Sequence, residues 1–304
     1  MRRRQFLRFA SLMASVLPFG RAFAGGYPTR PVRIIVGFAA GGPNDILARL
    51  MAHHLSERLG MQFIVENRPG AASNVATDAV VKAAPDGYSL LFVNASNAIN
   101  KTLYENLNHD FARDIAPVAA IARVPNVVDV HPSLPINSVA DLIAYAKANP
   151  GKLNAASGGL GSTGHLALEL FKMMTGTELV HVPYRGSGPA LIDLIAGQVQ
   201  VMFDSMPSSV EYIRAGTIRG LAVTTSVRSD ALPALPPVGD TVPGYEATSW
   251  YGLGAPKGTP SDIIATLNRE VNAALDDPKL QARYADLGGA CKACHDKYRA
   301  EMKH

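Results

Sequence analysis

Short apolar runs, each followed by a glycine- or serine-rich turn and then by apolar residues at helical spacing, recur along almost the whole chain. This alternation is the tightest constraint on the fold, because strand–helix units stack into mainly parallel sheets covered by helices. Val32–Phe38, Gln62–Glu66 and Ser89–Val93 read as strands of a first series, with helices from Ile46 onward and across Asn74–Lys82. A second series begins near Val127, with strands Leu153–Ala156, Leu179–Val182, Val199–Phe203 and Arg219–Thr224. Helices Val139–Ala148, Leu166–Met174 and Pro189–Ile195 lie between them. Leu232 to Pro243 is proline-rich and reads as a loop. A strand at Trp250–Gly254 and a helix at Ser261–Leu275 close the pattern.

Two series imply two lobes, and 304 residues at 47% apolar content exceed what one compact domain usually holds. The expected crossings are near 125 and near 228. Residues 25–125 plus 229–290 would then form lobe 1, and residues 126–228 lobe 2.

Residues 1–24 carry Arg2-Arg3-Arg4, an apolar run from Phe6 to Phe19 and then Ala22-Phe23-Ala24. That is the make-up of a secretory signal peptide with an A-x-A cleavage site. Arg8, Ser11, Ser15 and Pro18 interrupt the run, which is too short and polar for a permanent span. Arg3-Arg4-Gln5-Phe6-Leu7-Arg8 also resembles a twin-arginine export signal, so the route stays open between the two. The charged residues of this segment are five arginines. Without them 24 basic residues face 25 acidic ones, leaving no basic surface for phosphates and excluding nucleic acid as a partner.

Three turns have the chemistry of a binding site. Ala39-Ala40-Gly41-Gly42-Pro43-Asn44-Asp45 joins a strand to a helix, and free N–H groups at such a start bind anions. Asp45 is either a first-turn acid favoured by the helix dipole or a partner for a donor on a ligand. Ser157 to His165 repeats the arrangement, with Gly161, Ser162, Thr163 and His165 as candidates. In Val182–Pro189, Arg185 and Gly186 stand at a third junction, where arginine can pair a carboxylate with two hydrogen bonds. Asp204, Ser96 and Asn97 follow apolar strands, at the ends where open α/β sheets hold ligands.

Gly159, Gly161 and Gly164 spell G-x-G-x-x-G, but the acid that a dinucleotide site needs after the next strand is missing, since Leu179–Val182 runs into Pro183-Tyr184-Arg185. H-E-x-x-H, the phosphate-loop motif and G-x-S-x-G are absent from the sequence, so no enzymatic constellation is expected.

Tyr27–Arg33, Phe38–Asp45, Glu66–Ala71, Ala83–Tyr88, Gly161–His165, Pro183–Pro189 and Ala255–Gly258, in this order, resemble the Bug family, extracytoplasmic substrate-binding proteins of tripartite tricarboxylate transporters. The resemblance covers about residues 27–289. It implies an α/β, two-lobed periplasmic binding protein of the type II kind, closing its cleft on a small carboxylate. A membrane permease is the implied partner, and a monomer is expected. The implied contacts are Ala40, Gly41, Gly42 and Asp45 from one lobe and Ser162, Thr163, His165, Arg185, Gly186 and Asp204 from the other. Asn44 stands where the family commonly has Thr, and Asn97 where it has His. The resemblance does not name the carboxylate.

Residues 291–304 depart from the family, because Cys291-Lys292-Ala293-Cys294-His295 is a c-type haem attachment pattern. The tail resembles the C-terminal helix of cytochrome c′, which implies thioether bonds at Cys291 and Cys294 and iron at His295. A haem also needs an apolar pocket, and the sequence lacks the three helices that supply it there. No cofactor is expected. The full chain expressed with cytochrome c maturation proteins should show no stoichiometric Soret band after denaturing purification. A band that disappears on Cys291→Ala and Cys294→Ala would make haem a working part of the protein.

Overall fold

The computed structural model describes residues 26–288, so the signal segment 1–24 and the tail with Cys291, Cys294 and His295 lie outside the described residues. The strands are β1 (Val32–Val36), β2 (Phe63–Asn67), β3 (Ser89–Asn94), β4 (Ile115–Val130), β5 (Asn154–Ser157), β6 (Val180–Pro183), β7 (Val201–Ser205), β8 (Arg219–Val223) and β9 (Thr248–Pro256). The helices are α1 (Pro43–Leu59), α2 (Asn74–Val81), α3 (Ala95–Leu103), α4 (Phe111–Asp114), α5 (Val139–Ala148), α6 (Thr163–Thr175), α7 (Ser187–Ile195), α8 (Met206–Arg214), α9 (Ser261–Leu275) and α10 (Pro278–Asp286).

The strands form two sheets of the same design. In the first, β1 lies between β2 and β3 in parallel, and β9 then pairs antiparallel with β3 and β4. In the second, β5 lies parallel to β6 and β7, and β4 runs antiparallel to β7 and β8. The two antiparallel strands next to the crossing were not visible as such in the alternation. Each sheet buries its own core. Val32, Ile34, Leu47, Met51, Phe92, Leu253 and Leu267 belong to the first, and Val128, Leu142, Leu168, Phe171, Phe203 and Tyr245 to the second.

β4 serves both sheets. Residues 115–125 pair with β9, and residues 126–130 pair with β7 and β8. Pro117 and Pro125 hide this strand in the sequence. Pro117 sits at a register shift, where a proline's missing N–H is tolerated, and Pro125 pairs with Thr248 at the end of the β4–β9 ladder.

The return crossing is at Thr248, not near 228. Val238, Val242 and Tyr245 are buried in the second core, and Ala231 and Leu232 pack on Val127, Met206 and Val223. The prolines of this passage forbid a regular element while leaving its apolar side chains free to pack, so residues 229–247 join the second core. Only a 3-10 turn, Val238–Asp240, interrupts the loop.

In the second lobe His165, near the start of α6, stacks on His181 of β6 with ring centroids 4.2 Å apart. His181 Nε2 meets Ser157 Oγ at 2.7 Å, which ties β6 to the end of β5. Burial, then the neighbouring His165, holds His181 down at about 4. A histidine whose folded value lies below its unfolded one favours the fold above the unfolded value, near 6.5, and loses that support as pH falls toward about 4. Wild-type protein should therefore lose more melting temperature between pH 7 and pH 4.5 than His181→Gln does. Equal losses in a thermal scan would show that the stacked pair does not titrate in this way.

Candidate ligand-binding site between the lobes

Every helix that follows β1, β3, β5, β6 or β7 starts at the carboxyl end of its strand, and the two lobes turn those ends toward each other. A cavity of about 20 Å³ lies where they meet. Pro43 and Asn44 of α1, Asn94 and Ser96 at α3, Ser162 to Gly164 at α6, Ser187 of α7 and Ser205 at α8 all line it. Five helix N-termini thus face one small space. Each carries roughly half a positive charge and favours an anion by about 0.3–2 kcal/mol, depending on burial. Among the described residues no Lys, Arg or His lines the cavity.

Side-chain capping divides these five starts. Asn94 caps α3 by accepting from Ser96 N–H, and Ser162 caps α6 by accepting from His165 N–H. α1, α7 and α8 begin at Gly42, Gly186 and Ser205 without a side-chain cap. Pro43 opens α1 and Pro207 is the second residue of α8, and neither has an N–H, so the uncapped donors at these starts are Asn44 in α1, Ser187 and Gly188 in α7 and Met206 in α8. Asn44 is buried, and its Oδ1 accepts from Asn94 Nδ2 at 2.8 Å, which leaves its own amide nitrogen as a further donor.

The lobes touch directly beside the cavity. Ala39 N–H donates to the Arg185 carbonyl at 3.0 Å, and Tyr104 OH reaches the Leu160 carbonyl at 3.4 Å. Gly188 lies against the first loop so closely that a Cβ there would collide with the Ala40 carbonyl oxygen. Gly164 is equally constrained, by the Phe203 carbonyl. This close packing of α6 on β7 accounts for the last glycine of the G-x-G-x-x-G pattern without a nucleotide.

Of the residues expected from sequence, Ser96, Ser162, Thr163 and Asp204 line the cavity. Gly42 and Gly186 sit at the seam between the lobes, with Gly42 next to Ser187 and Gly186 next to Ala39. Gly161 packs on Asn100 and Leu103 of the opposite lobe, outside the cavity. Ala40 and Gly41 are exposed on the lip.

Four others do different work from a ligand contact. Asp45 accepts from Gly41 N–H at 3.1 Å and pairs with Arg49 at 2.9 Å, so it braces the first loop. Burial pushes its carboxyl up, but the hydrogen bonds from Arg49 and Gly41 outweigh that and hold it low. Asn97 accepts from Asn94 N–H at 2.8 Å and donates to Thr77 at 2.9 Å, fixing the start of α3 from behind. His165 Nδ1 accepts from Gly161 N–H at 3.2 Å and its ring is committed to His181. Arg185 offers its carbonyl to Ala39, while its exposed side chain borders a separate pocket of about 190 Å³ with Tyr104 and Tyr184.

Asn94, which with Ser96 and Asn97 follows the Ser89–Val93 strand, also lines the cavity, and Asn44, Ser187, Ser205 and Tyr251 are wall residues absent from the expected contacts. Asn44, Ser187 and Ser205 stand at strand-to-helix junctions, which the alternation could have marked. Tyr251 lies within β9 and carried no such mark. Its hydroxyl donates to Ser205 Oγ at 3.0 Å, and Ser205 Oγ lies 2.8 Å from Asn126 Oδ1. Ser249 Oγ is 2.8 Å from the same oxygen and 2.7 Å from Thr163 Oγ1. A buried polar network thus joins the crossing strands to the cavity wall.

Comparison with known proteins agrees with this geometry. The family model described as tripartite tricarboxylate transporter family receptor matches residues 47–295. Protein BugT of Bordetella pertussis is 40% identical over 265 residues, 86% of this chain and 81% of the relative. An R. palustris protein, Rpa4515, solved with adipate, is 45% identical with a TM-score of 0.85, covering 86% of this chain and 89% of that one. MatC from Rhodopseudomonas palustris, solved with malate, is 32% identical with a TM-score of 0.82, over 87% and 91% of the two chains. With two lobes, a cleft of helix starts and these relatives, the molecule is a periplasmic-type solute-binding protein and not an enzyme. On the extent of that match the chain belongs to the tripartite tricarboxylate transporter receptor family.

Proposed function

We propose that this protein captures a small carboxylate in the periplasm and passes it to a membrane permease of the tripartite tricarboxylate type. The observation that carries the reading is the convergence of five helix N-termini on a cavity without a cationic side chain among its described walls. Such a site neutralises one carboxylate with backbone dipoles and hydroxyl groups. The relatives solved with adipate and malate support a carboxylate ligand, with a hydroxyl beside a carboxyl group in malate and none in adipate. Export through the signal segment 1–24, action as a monomer and the absence of a cofactor belong to this reading.

A space of about 20 Å³ holds a group the size of one water. A whole organic acid enters only if the lobes part and then close around it. A ligand that prefers the closed form stabilises it by RT ln(1 + [L]/Kd), about 2.7 kcal/mol at a hundredfold excess over Kd.

A thermal-shift screen of the mature protein against mono-, di- and tricarboxylates and amino acids should therefore give upward shifts with carboxylates and none with NAD. The reverse pattern would end the reading. Gly188→Ala should block closure by placing a methyl group against the Ala40 carbonyl. It should lose both the ligand-induced shift and the compaction seen by small-angle scattering, while still melting cooperatively. Undiminished compaction in that variant would show that the lobes do not close along this seam.

A further inference from the structure

Ser187 opens α7 on the cavity wall, and its hydroxyl donates to Asp204 Oδ1 at 2.5 Å. A hydroxyl has one proton and two lone pairs. While its proton is donated to a charged Asp204, Ser187 can turn only a lone pair toward the cavity.

The charge on Asp204 decides whether this holds. Its Oδ2 accepts from the Ser208 hydroxyl and, at 3.1 Å, from the Ser209 hydroxyl, and the Ser205 backbone N–H adds a further donor. Asp129, across the ladder on β4, is fully buried, and neither of its carboxyl oxygens has a hydrogen-bond partner among the described residues. Ser209 is within reach of both acids and is the one donor near Asp129 among the described residues, whereas Asp204 also has Ser187, Ser208 and the Ser205 N–H. Two neighbouring acids in a dry interior do not both ionise. Burial pushes both carboxyls up, Asp129 well above the usual range, and the serine donors offset it mainly at Asp204. The greater number of donors at Asp204 favours the charge there and leaves the proton to Asp129.

We infer that the Ser187–Asp204 pair makes this site select carboxylates that bear a hydrogen-bond donor, hydroxyl or ammonium, on the carbon beside the carboxyl group. The inference rests on the carboxylate reading above. Dipoles of the helix starts hold the carboxyl oxygens, while Ser187 offers an acceptor within the same small cavity, so the second contact must fall within a bond or two of the first. A hydroxyl or ammonium there satisfies the lone pair. A methylene leaves it unpaired, and a site built for such a bond rejects the analogue that lacks it.

The test is titration calorimetry on the mature protein with matched sets of acids: lactate, alanine and propionate, then malate, aspartate and succinate. In at least one set the donor-bearing acids should bind roughly 10- to 100-fold more tightly than the plain acid, the scale of the penalty for leaving one buried acceptor unpaired. Tighter binding of the amino acid would identify ammonium as the donor, and tighter binding of the hydroxy acid would identify hydroxyl. Ser187→Ala should bring the ratio to about one, since the acceptor is gone. Asp204→Asn can donate to Ser187 and release the serine proton, which should remove any preference for the ammonium-bearing acid, while a hydroxyl, able to accept, keeps its contact. Equal affinities within both sets in the wild type, or a ratio that survives Ser187→Ala, would overturn the inference while leaving carboxylate capture standing. Failure of any carboxylate to bind would overturn both.

Discussion

A helix cannot satisfy the N–H groups of its own first turn, and the cleft is organised around that deficit. β1, β3, β5, β6 and β7 all end at the meeting of the lobes, so the helices that follow them begin there together. The arrangement removes the need for a cationic side chain, which would cost more to desolvate and would hold its shape less rigidly than backbone does. It also explains the small residues at the seam. Backbone donors reach across a cleft only when backbone can approach backbone, and Gly188 against Ala40 is the point at which a single methyl group would hold the lobes apart.

The site and the crossing between lobes are one polar structure. Asn126 stands on β4 at the passage from one sheet to the other and accepts from Ser205 and Ser249. Through them it reaches Tyr251 on β9 and Thr163 at the start of α6. Buried hydroxyls of this kind keep their geometry because leaving any one unpaired costs about 1–3 kcal/mol. The hinge is therefore not a passive tether. Its hydrogen bonds reach three of the residues that line the cavity, Ser205, Tyr251 and Thr163.

The alternation of apolar runs and glycine-rich turns was enough to read the two-lobed α/β design and to point at the junctions after β1, β3, β5, β6 and β7. It did not reveal β4 before Val127, where prolines and alanines blur the pattern, or the packing of 229–247, where prolines conceal a set of buried side chains. Site residues were legible by position along the chain but not by the direction of the side chain. Asp45, Asn97 and His165 carry polar groups in the right turns and spend them on their own loops. Tyr251 could be found only from tertiary structure, because nothing in a strand interior marks which residue faces a cleft. Chemistry at a junction was readable; allegiance of each hydrogen bond was not.

Holding an anion by dipoles instead of formal charges has a kinetic side. The field of a helix start fades within about its first turn, whereas a cluster of lysines reaches a Debye length or more. With 24 basic and 25 acidic residues after residue 24, the chain has no net charge to attract a carboxylate from a distance. Encounter is then governed by diffusion and by how often the lobes stand apart, and salt has little to screen. Such a receptor gathers its cargo at a pace indifferent to the ionic strength around it, and selectivity is exercised after contact, in how long each visitor stays.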